Sequence, residues 1–539
     1  MSETTYWDKP IAVERINGVP YRLYTNRPHS IAELLPFAAH WHDRPFILHG
    51  DRVLTFANLL TAIAAKAQTL IAAGVTPGDR VAILGWNSPD WVINFWACLR
   101  IGAVPVLGNA WWGEAELNDA LTLVQPVLTL ADGQATARLP PNTRTAPWET
   151  PETPQPSTPP TPPATHENNP AIIIFTSGTQ GRAKAVVLPH RAFIASMMMI
   201  LHVTRQLPYR INPAAGETSL HTGPLFHIGG AHALIRSVVS GNTLVMLTGR
   251  FDPGEILALI ERHRIVRWNA VPTMATRLLE HPDLKTRDIS SLTSMSLGGA
   301  PVHAELLARI REHMPAVQAR IATGYGLSEN AGQATAASGA DTTARPGASG
   351  RPLPCAEITI APRQAHHPIG LPSRSDKDAR QNSESLADGE ILIRSPTQML
   401  GYFGETEQPI DAEGWLHTGD LGHLDAEGHL WITGRSKDII IRGGENIAPA
   451  SVERALMAID GVVEAVVFAV PDPELGEDVM AVVVTDRPLT PTDLTTHLRG
   501  KLASFAIPRH WRLQTEPLPV NQTGKIDKPA VIAKVRAES

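Results

Sequence analysis

Cysteine is nearly missing: Cys98 and Cys355 are the two in 539 residues, far apart and in neither a CxxC nor a Cys/His ligand spacing. That excludes a disulfide framework and a zinc ribbon, and it points to a reducing compartment. Long apolar runs are also lacking, since no stretch reaches the roughly eighteen residues of a membrane span. "MSETTYWDKP" has no basic segment leading into an apolar one, so no signal peptide is expected and the protein reads as cytoplasmic. Excess basic charge is missing too. With 47 Lys and Arg against 53 Asp and Glu, the net charge of −6 gives no electrostatic case for nucleic acid or an anionic membrane. What is present is length and apolar content. The chain is too long for one core, so at least two domains are expected, and 43% apolar with 19% charged residues suits a globular enzyme.

From residue 50 to 110 a helical pattern, "LTFANLLTAIAAKAQTLIAAGV", alternates with apolar runs such as "RVAILG" and "AVPVLG" across polar turns. The alternation recurs from 215 to 330 and predicts α/β architecture with buried sheets flanked by helices. Residues 139–170, dense in Pro, Thr and Glu, show no hydrophobic period and read as an exposed, extended loop. Residues 364–388 read as a second polar insertion. "MMMI" at 197–200 reads as core. After Arg435 the pattern restarts as a compact set, giving an expected large N-terminal domain, 1–435, and a small mobile α+β domain, 436–539. The histidine pairs at 40–42 and 366–367 lack companion ligands, so no metal is assigned to them.

"TSGTQGRAKA", residues 176–185, follows the apolar run "AIIIF". Gly178 and Gly181 are too close together, and Ala185 follows Lys184, so the spacing differs from G-x-x-x-x-G-K-[ST] of the common phosphate loop. Backbone N–H groups, hydroxyls and a lysine after a strand can still wrap a polyphosphate. "GYGLSEN" at 324–330 has Glu329 where a dinucleotide fingerprint needs its third glycine. With "PLFHIGG" (224–230), "SLGGAP" (296–301), "HTGD" (417–420), "GRSKD" (434–438), "RGGENI" (442–447) and "TGKIDK" (523–528), the ordered set resembles the acyl-adenylate-forming superfamily of acyl-CoA synthetases and related AMP-dependent ligases. The resemblance covers nearly the whole chain.

It implies a two-step reaction. A carboxylate attacks the α-phosphate of ATP, pyrophosphate leaves, and a nucleophile displaces AMP from the mixed anhydride. By the family pattern Thr176, Ser177, Gly178, Thr179 and Lys184 embrace the leaving phosphates, Ser328 contacts phosphate and Glu329 holds Mg2+, a hard-ligand choice. Asp420 is expected to accept the ribose hydroxyls with Arg435 beside it. Gly298, Gly299, Ala300 and Pro301, with Gly324, Tyr325 and Gly326, would form the adenine slot. Lys525, on a polar loop that presents it rather than burying it, would be the catalytic cation of the first step. Rotation about Lys437 would then replace Lys525 with the turn at Gly443 and Gly444, whose bare backbones leave a pantetheine tunnel open.

Acyl selectivity is expected from walls that include His227, Val271, Pro272, Thr273, Gly298 and Ala322. None is charged, so an apolar acid, fatty or cyclic, is favoured. His227 reads either as a core histidine or as a group between the acyl and nucleophile channels. CoA is the default acceptor; an amine acceptor, as in amide-forming ligases, is the alternative, and a nucleotide-responsive interaction protein is a third reading that Lys525, Asp420 and Glu329 oppose. The assembly is expected to be a monomer or homodimer. Gln180, Ala183 and Ala185 depart from the family's T-S-G-T-T-G-x-P-K-G and predict a freer phosphate loop.

Overall fold

The computed structural model describes residues 5–150, 160–176, 183–362, 388–443, 445–521 and 523–538. Within them the apolar runs become strands of two large sheets with helices between and outside. In the first, Arg80–Leu84 has parallel neighbours Val104–Gly108 and Leu128–Ala131, and Val104–Gly108 pairs with Pro170–Thr176. These strands are apolar along their length because both faces are covered. Pro170–Thr176 pairs antiparallel with Lys184–Pro189, and Gly401–Tyr402 adds outside it.

The second sheet has a parallel centre: Thr243–Met246, Thr218–His221, Arg267–Ala270, Ser294–Leu297 and Ile321–Thr323 lie side by side. Alternation along each strand sends side chains to two different cores. Leu244 and Met246 join Leu234, Ile235 and Val238 of helix Ile228–Ser240. Leu220, Val245 and Trp268 join Leu257 and Leu278 of helices Pro253–His263 and Pro272–Glu280. Met197, Met198 and Met199 are buried in the first of these cores, as the sequence predicts.

An antiparallel sheet follows, Glu357–Ala361, Gly389–Arg394, Leu416–Leu424 and Leu430–Arg435. The C-terminal α+β unit is built on the long hairpin of Val462–Asp472 and Gly476–Thr485, with His510–Gln514 parallel to the latter. Helices Pro449–Met457 and Pro491–Leu498 close a separate core around Val452, Leu456, Val467, Val483 and Leu494. Among the described residues no helix is long and apolar enough to cross a membrane.

The segment 139–170 departs from its expected exposure. Thr145–Ala146 extends the first sheet beside Leu128–Ala131. Trp148 is buried so closely against Gly85 that a Cβ there would lie 2.6 Å from the indole. The buried Lys66 donates to the carbonyls of Pro147, Trp148 and Glu149 at 2.5, 3.2 and 3.4 Å. Farther on, Glu167 takes a two-pronged ion pair from Arg27 at 2.9 and 2.7 Å. Apart from the single buried Trp148, the anchors are backbone carbonyls and one carboxylate, which a hydrophobic period does not register.

Candidate active site

The Lys525 loop is held by its own first residue. Asn521 Oδ1 accepts from the N–H groups of Thr523 and Lys525 at 3.0 and 3.1 Å, and Val520 bridges Ile526. Gly524 turns the chain at φ +78 and leaves no room for a side chain: a Cβ would meet Met274 Cε at 2.7 Å. Its carbonyl accepts from the Thr273 hydroxyl. The small unit therefore docks on the start of helix Pro272–Glu280, and Lys525 lies across Gly299, where an added Cβ would be 3.0 Å from Cε and 3.5 Å from Nζ. This differs from the expected free arm, because docking covers most of the lysine stem. Burial, then the nearby charge of Arg435, holds the ammonium below the ordinary lysine range.

Strand pairing sets Asp420 opposite Arg435. Asp420 is 7% exposed; its Oδ1 takes Arg435 Nε at 2.9 Å and its Oδ2 the Tyr325 hydroxyl at 2.6 Å. Burial, then the charge of Asp420, pushes the Tyr325 phenol well up, so it remains a donor. The Tyr325 ring packs with Leu416, Leu430 and Ile391. Gly324 and Gly326 are pinched by the chain itself: a Cβ would stand 2.6 Å from Thr335 O and 2.1 Å from Gly332 O. Gly299 is left-handed at φ +80, followed by the half-buried Ala300 and exposed Pro301.

In the same strand as Asp420, His417 Nδ1 lies 3.1 Å from Glu390 and Nε2 3.7 Å from Asp411. The carboxylates of Asp411 and Glu390 outweigh burial and raise His417 to about 9. A raised folded value means the stabilisation is complete below about 6.5, the unfolded value, and disappears as pH climbs through about 9. We expect stability to fall by on the order of 1–2 kcal/mol over that window, measured as Tm against pH, and His417→Gln to flatten that part of the curve.

Glu329 sits in the short turn Ser328–Asn330. Its Oε1 accepts from the Tyr402 hydroxyl at 2.8 Å, and Lys184 Nζ lies 4.5 Å above the Tyr402 ring. One aromatic side chain thus joins the two residues expected to meet at the phosphates. Sequence reasoning passed over Tyr402; the signal was an aromatic after a glycine in "GYF", placed beside Lys184 by strand pairing with Val186. Tyr402→Phe keeps the ring under Lys184 and deletes the bond to Glu329. It should weaken Mg-ATP binding roughly three- to tenfold by calorimetry, with a smaller change for ATP in EDTA.

Thr176 ends its strand paired to Lys184, both half-buried. Ser177, Gly178, Thr179 and Gln180 lie outside the described residues, as does Gly444. Ala183 packs with Leu84 and Trp112, and Ala185 is buried with Val106 and Ile173. These two residues follow the loop packed on the first sheet; the loop itself, 177–182, and the freedom expected of it lie outside the described residues. Gly443 has φ +57 and donates to the Leu475 carbonyl at 2.8 Å, so its turn requires glycine independently of any tunnel. Lys437 is exposed in the turn Ser436–Asp438 between strands of the two units.

His227 caps helix Ile228–Ser240, against a ladder in which Trp86 meets Trp111, Trp111 meets Phe226 and Phe226 meets the imidazole at 4.8–5.3 Å. Its Nε2 is buried without a partner among the described residues. Burial, then the charge of Lys525, lowers it to about 4, so it is neutral at physiological pH. The structure thus brings Lys525, Gly299, His227 and the Asp420–Arg435 pair to the carboxyl ends of the parallel strands, the usual place for a ligand in an α/β sheet.

The family model described as AMP-binding enzyme matches residues 36–403, and the one described as its C-terminal domain matches residues 451–525. The chain belongs to the AMP-binding enzyme family. It is 32% identical over 502 residues to a feruloyl-CoA synthase of an Amycolatopsis species, covering 90% of this chain and 94% of the relative. The fold matches o-succinylbenzoate CoA synthetase of Bacillus subtilis in complex with its acyl-adenylate intermediate, with TM-score 0.75 and 28% identity over 94% and 98% of the two chains. It also matches an amide bond synthetase of Marinactinospora thermotolerans, TM-score 0.76 and 27% identity over 93% and 100%. As a family member it is an adenylate-forming ligase that uses ATP to activate a carboxylic acid.

Proposed function

We propose that the enzyme joins an acid with an apolar frame to the thiol of CoA, through an acyl adenylate formed in the conformation described. The observation that carries this is Lys525 laid across Gly299 and near both His227 and Arg435, where the incoming carboxylate meets the nucleotide. In the first step a carboxylate oxygen bonds to the α-phosphorus, and the bond to the bridging oxygen breaks, releasing pyrophosphate. Lys525 stabilises the negative charge on the carboxylate and the bridging oxygen. Asp420 accepts the ribose hydroxyls while Arg435 and Tyr325 fix its orientation. Thr176, Ser177, Gly178, Thr179, Lys184 and Ser328 hold the phosphates, and Gly299, Ala300, Pro301, Gly324, Tyr325 and Gly326 border the adenine.

Among the described residues no cluster of three His, Cys, Asp or Glu could cage a metal. A single carboxylate beside phosphates is the arrangement Mg2+ accepts, and Glu329, held by Tyr402, fits it. The ion when bound would neutralise phosphate charge. We place the hinge at Lys437, dividing 1–435 from 436–539. Rotation there withdraws Lys525 and brings Gly443 and Gly444 to the site, so that a thiol can displace AMP.

The amide bond synthetase among the structural matches favours amine transfer as the second reading. Mass spectrometry of products formed from ATP, a panel of acids, CoA and mixed amino acids separates the two. A thioester is the expected product; amide without thioester would replace CoA by an amine.

A further inference from the structure

The face of the second sheet turned toward helix Ile228–Ser240 carries a polar row at its carboxyl end. In-register pairing sets His221 beside Asn269, Asn269 beside Ser296, and Ser296 beside Ala322. Neighbours in register share a face, and His221 is also in register with Met246, which packs in the helix-side core. The next residues along these strands include Val271 and Gly298, which lead to Gly299 under Lys525. Among the described residues, open space stands beside Gly298 and beside Gly229 at the start of the helix, where an added methyl would meet no atom within 4 Å.

His221 is buried, and its Nε2 has no hydrogen-bond partner among the described residues. Its ring meets the Gly223 carbonyl, which also accepts from Asn87 at 2.9 Å. Burial lowers His221 to about 4, so the imidazole is neutral. In the tautomer that carries its proton on Nδ1, the unpartnered Nε2 is an acceptor. A buried acceptor without a donor is costly, and an apolar acid alone would leave it so. His227 adds a second unpartnered Nε2 at the helix N-terminus.

We propose that this row is the distal wall of the acyl pocket and selects a carboxylic acid whose otherwise apolar frame bears a hydroxyl, its O–H donated to His221 Nε2 and its oxygen facing the Asn269 amide. The assignment rests on the ligase reading above. A hydroxyl satisfies both neighbours; a ketone can only accept, and a hydrocarbon does neither.

The test is pyrophosphate release by the full-length enzyme with matched sets of cyclic acids that differ only in carrying a ring hydroxyl, a ketone or hydrogen at one position. The best hydroxylated acid should exceed its deoxy and keto partners in kcat/KM by roughly 10- to 100-fold. His221→Leu should bring that ratio to within about threefold, and His221→Gln, which restores an acceptor, should recover part of it. Equal or better use of the deoxy acids, a ketone preference, or an unchanged ratio in His221→Leu overturns the proposal. If the leucine variant does not fold, the wild-type ratios decide. Pyrophosphate from none of the acids would instead overturn the ligase reading, and this assignment with it.

Discussion

Lys525→Ala should slow formation of the acyl adenylate by roughly 10² or more and leave transfer from supplied acyl-AMP within about twofold. The expected split follows from geometry. Among the described residues Lys525 has no side-chain partner that its loss would orphan: Asn521 and Thr273 hold the loop through backbone atoms, and the side chain crosses the bare face of Gly299. Truncation therefore removes charge from the reacting centre without unmaking the docked loop. Rapid-quench measurement of each half-reaction checks this. Equal loss in both would assign Lys525 to a step they share. Because burial and Arg435 lower the lysine's pKa, the wild-type adenylation rate should also decline at alkaline pH sooner than an ordinary lysine would dictate. That limb should be missing from Lys525→Ala.

Asp420→Ala should be the more damaging change to the protein as a whole. Asp420 accepts from both Tyr325 and Arg435 at 2.6 and 2.9 Å. Its removal strands a buried phenol O–H inside the cluster of Leu416, Leu430 and Ile391, at a cost of about 1–3 kcal/mol. It also removes the acceptor proposed for the ribose, with an expected loss of ATP affinity of roughly 10². Asp420→Asn keeps the shape and one carbonyl acceptor, so most of the stability should return while affinity stays reduced. Calorimetric titration with ATP and thermal unfolding separate the two effects. Full ATP affinity in a folded Asp420→Ala protein would remove the residue from the nucleotide site.

The short strings were legible because their chemistry is local. "HTGD" and "GRSKD" announce a carboxylate and a cation, and an antiparallel pair then puts Asp420 opposite Arg435. Tyr402 was not legible. It reaches Glu329, 73 residues away, only because Gly401–Tyr402 adds to the edge beside Lys184–Pro189. His221 was likewise hidden, since one histidine in "TSLH" reads as a strand residue until the parallel register lines it up with Asn269 and Ser296. The segment 139–170 read as unpacked because one buried Trp148 makes no hydrophobic period, and Lys66 and Arg27, which also hold it, lie far upstream and bind carbonyls and a carboxylate. Ala183 and Ala185 read as losses of proline and glycine; in the fold they pack with the clusters that hold Trp112 and Val106.

We predict that this chain forms an acyl adenylate before any acceptor enters. Isotope exchange between pyrophosphate and ATP measures that step alone, with neither CoA nor an amine present. Exchange that appears only when an acid substrate is added, and that falls with Lys525→Ala, is the predicted result. Exchange indifferent to the acid, or none with an acid that the complete reaction consumes, would contradict it.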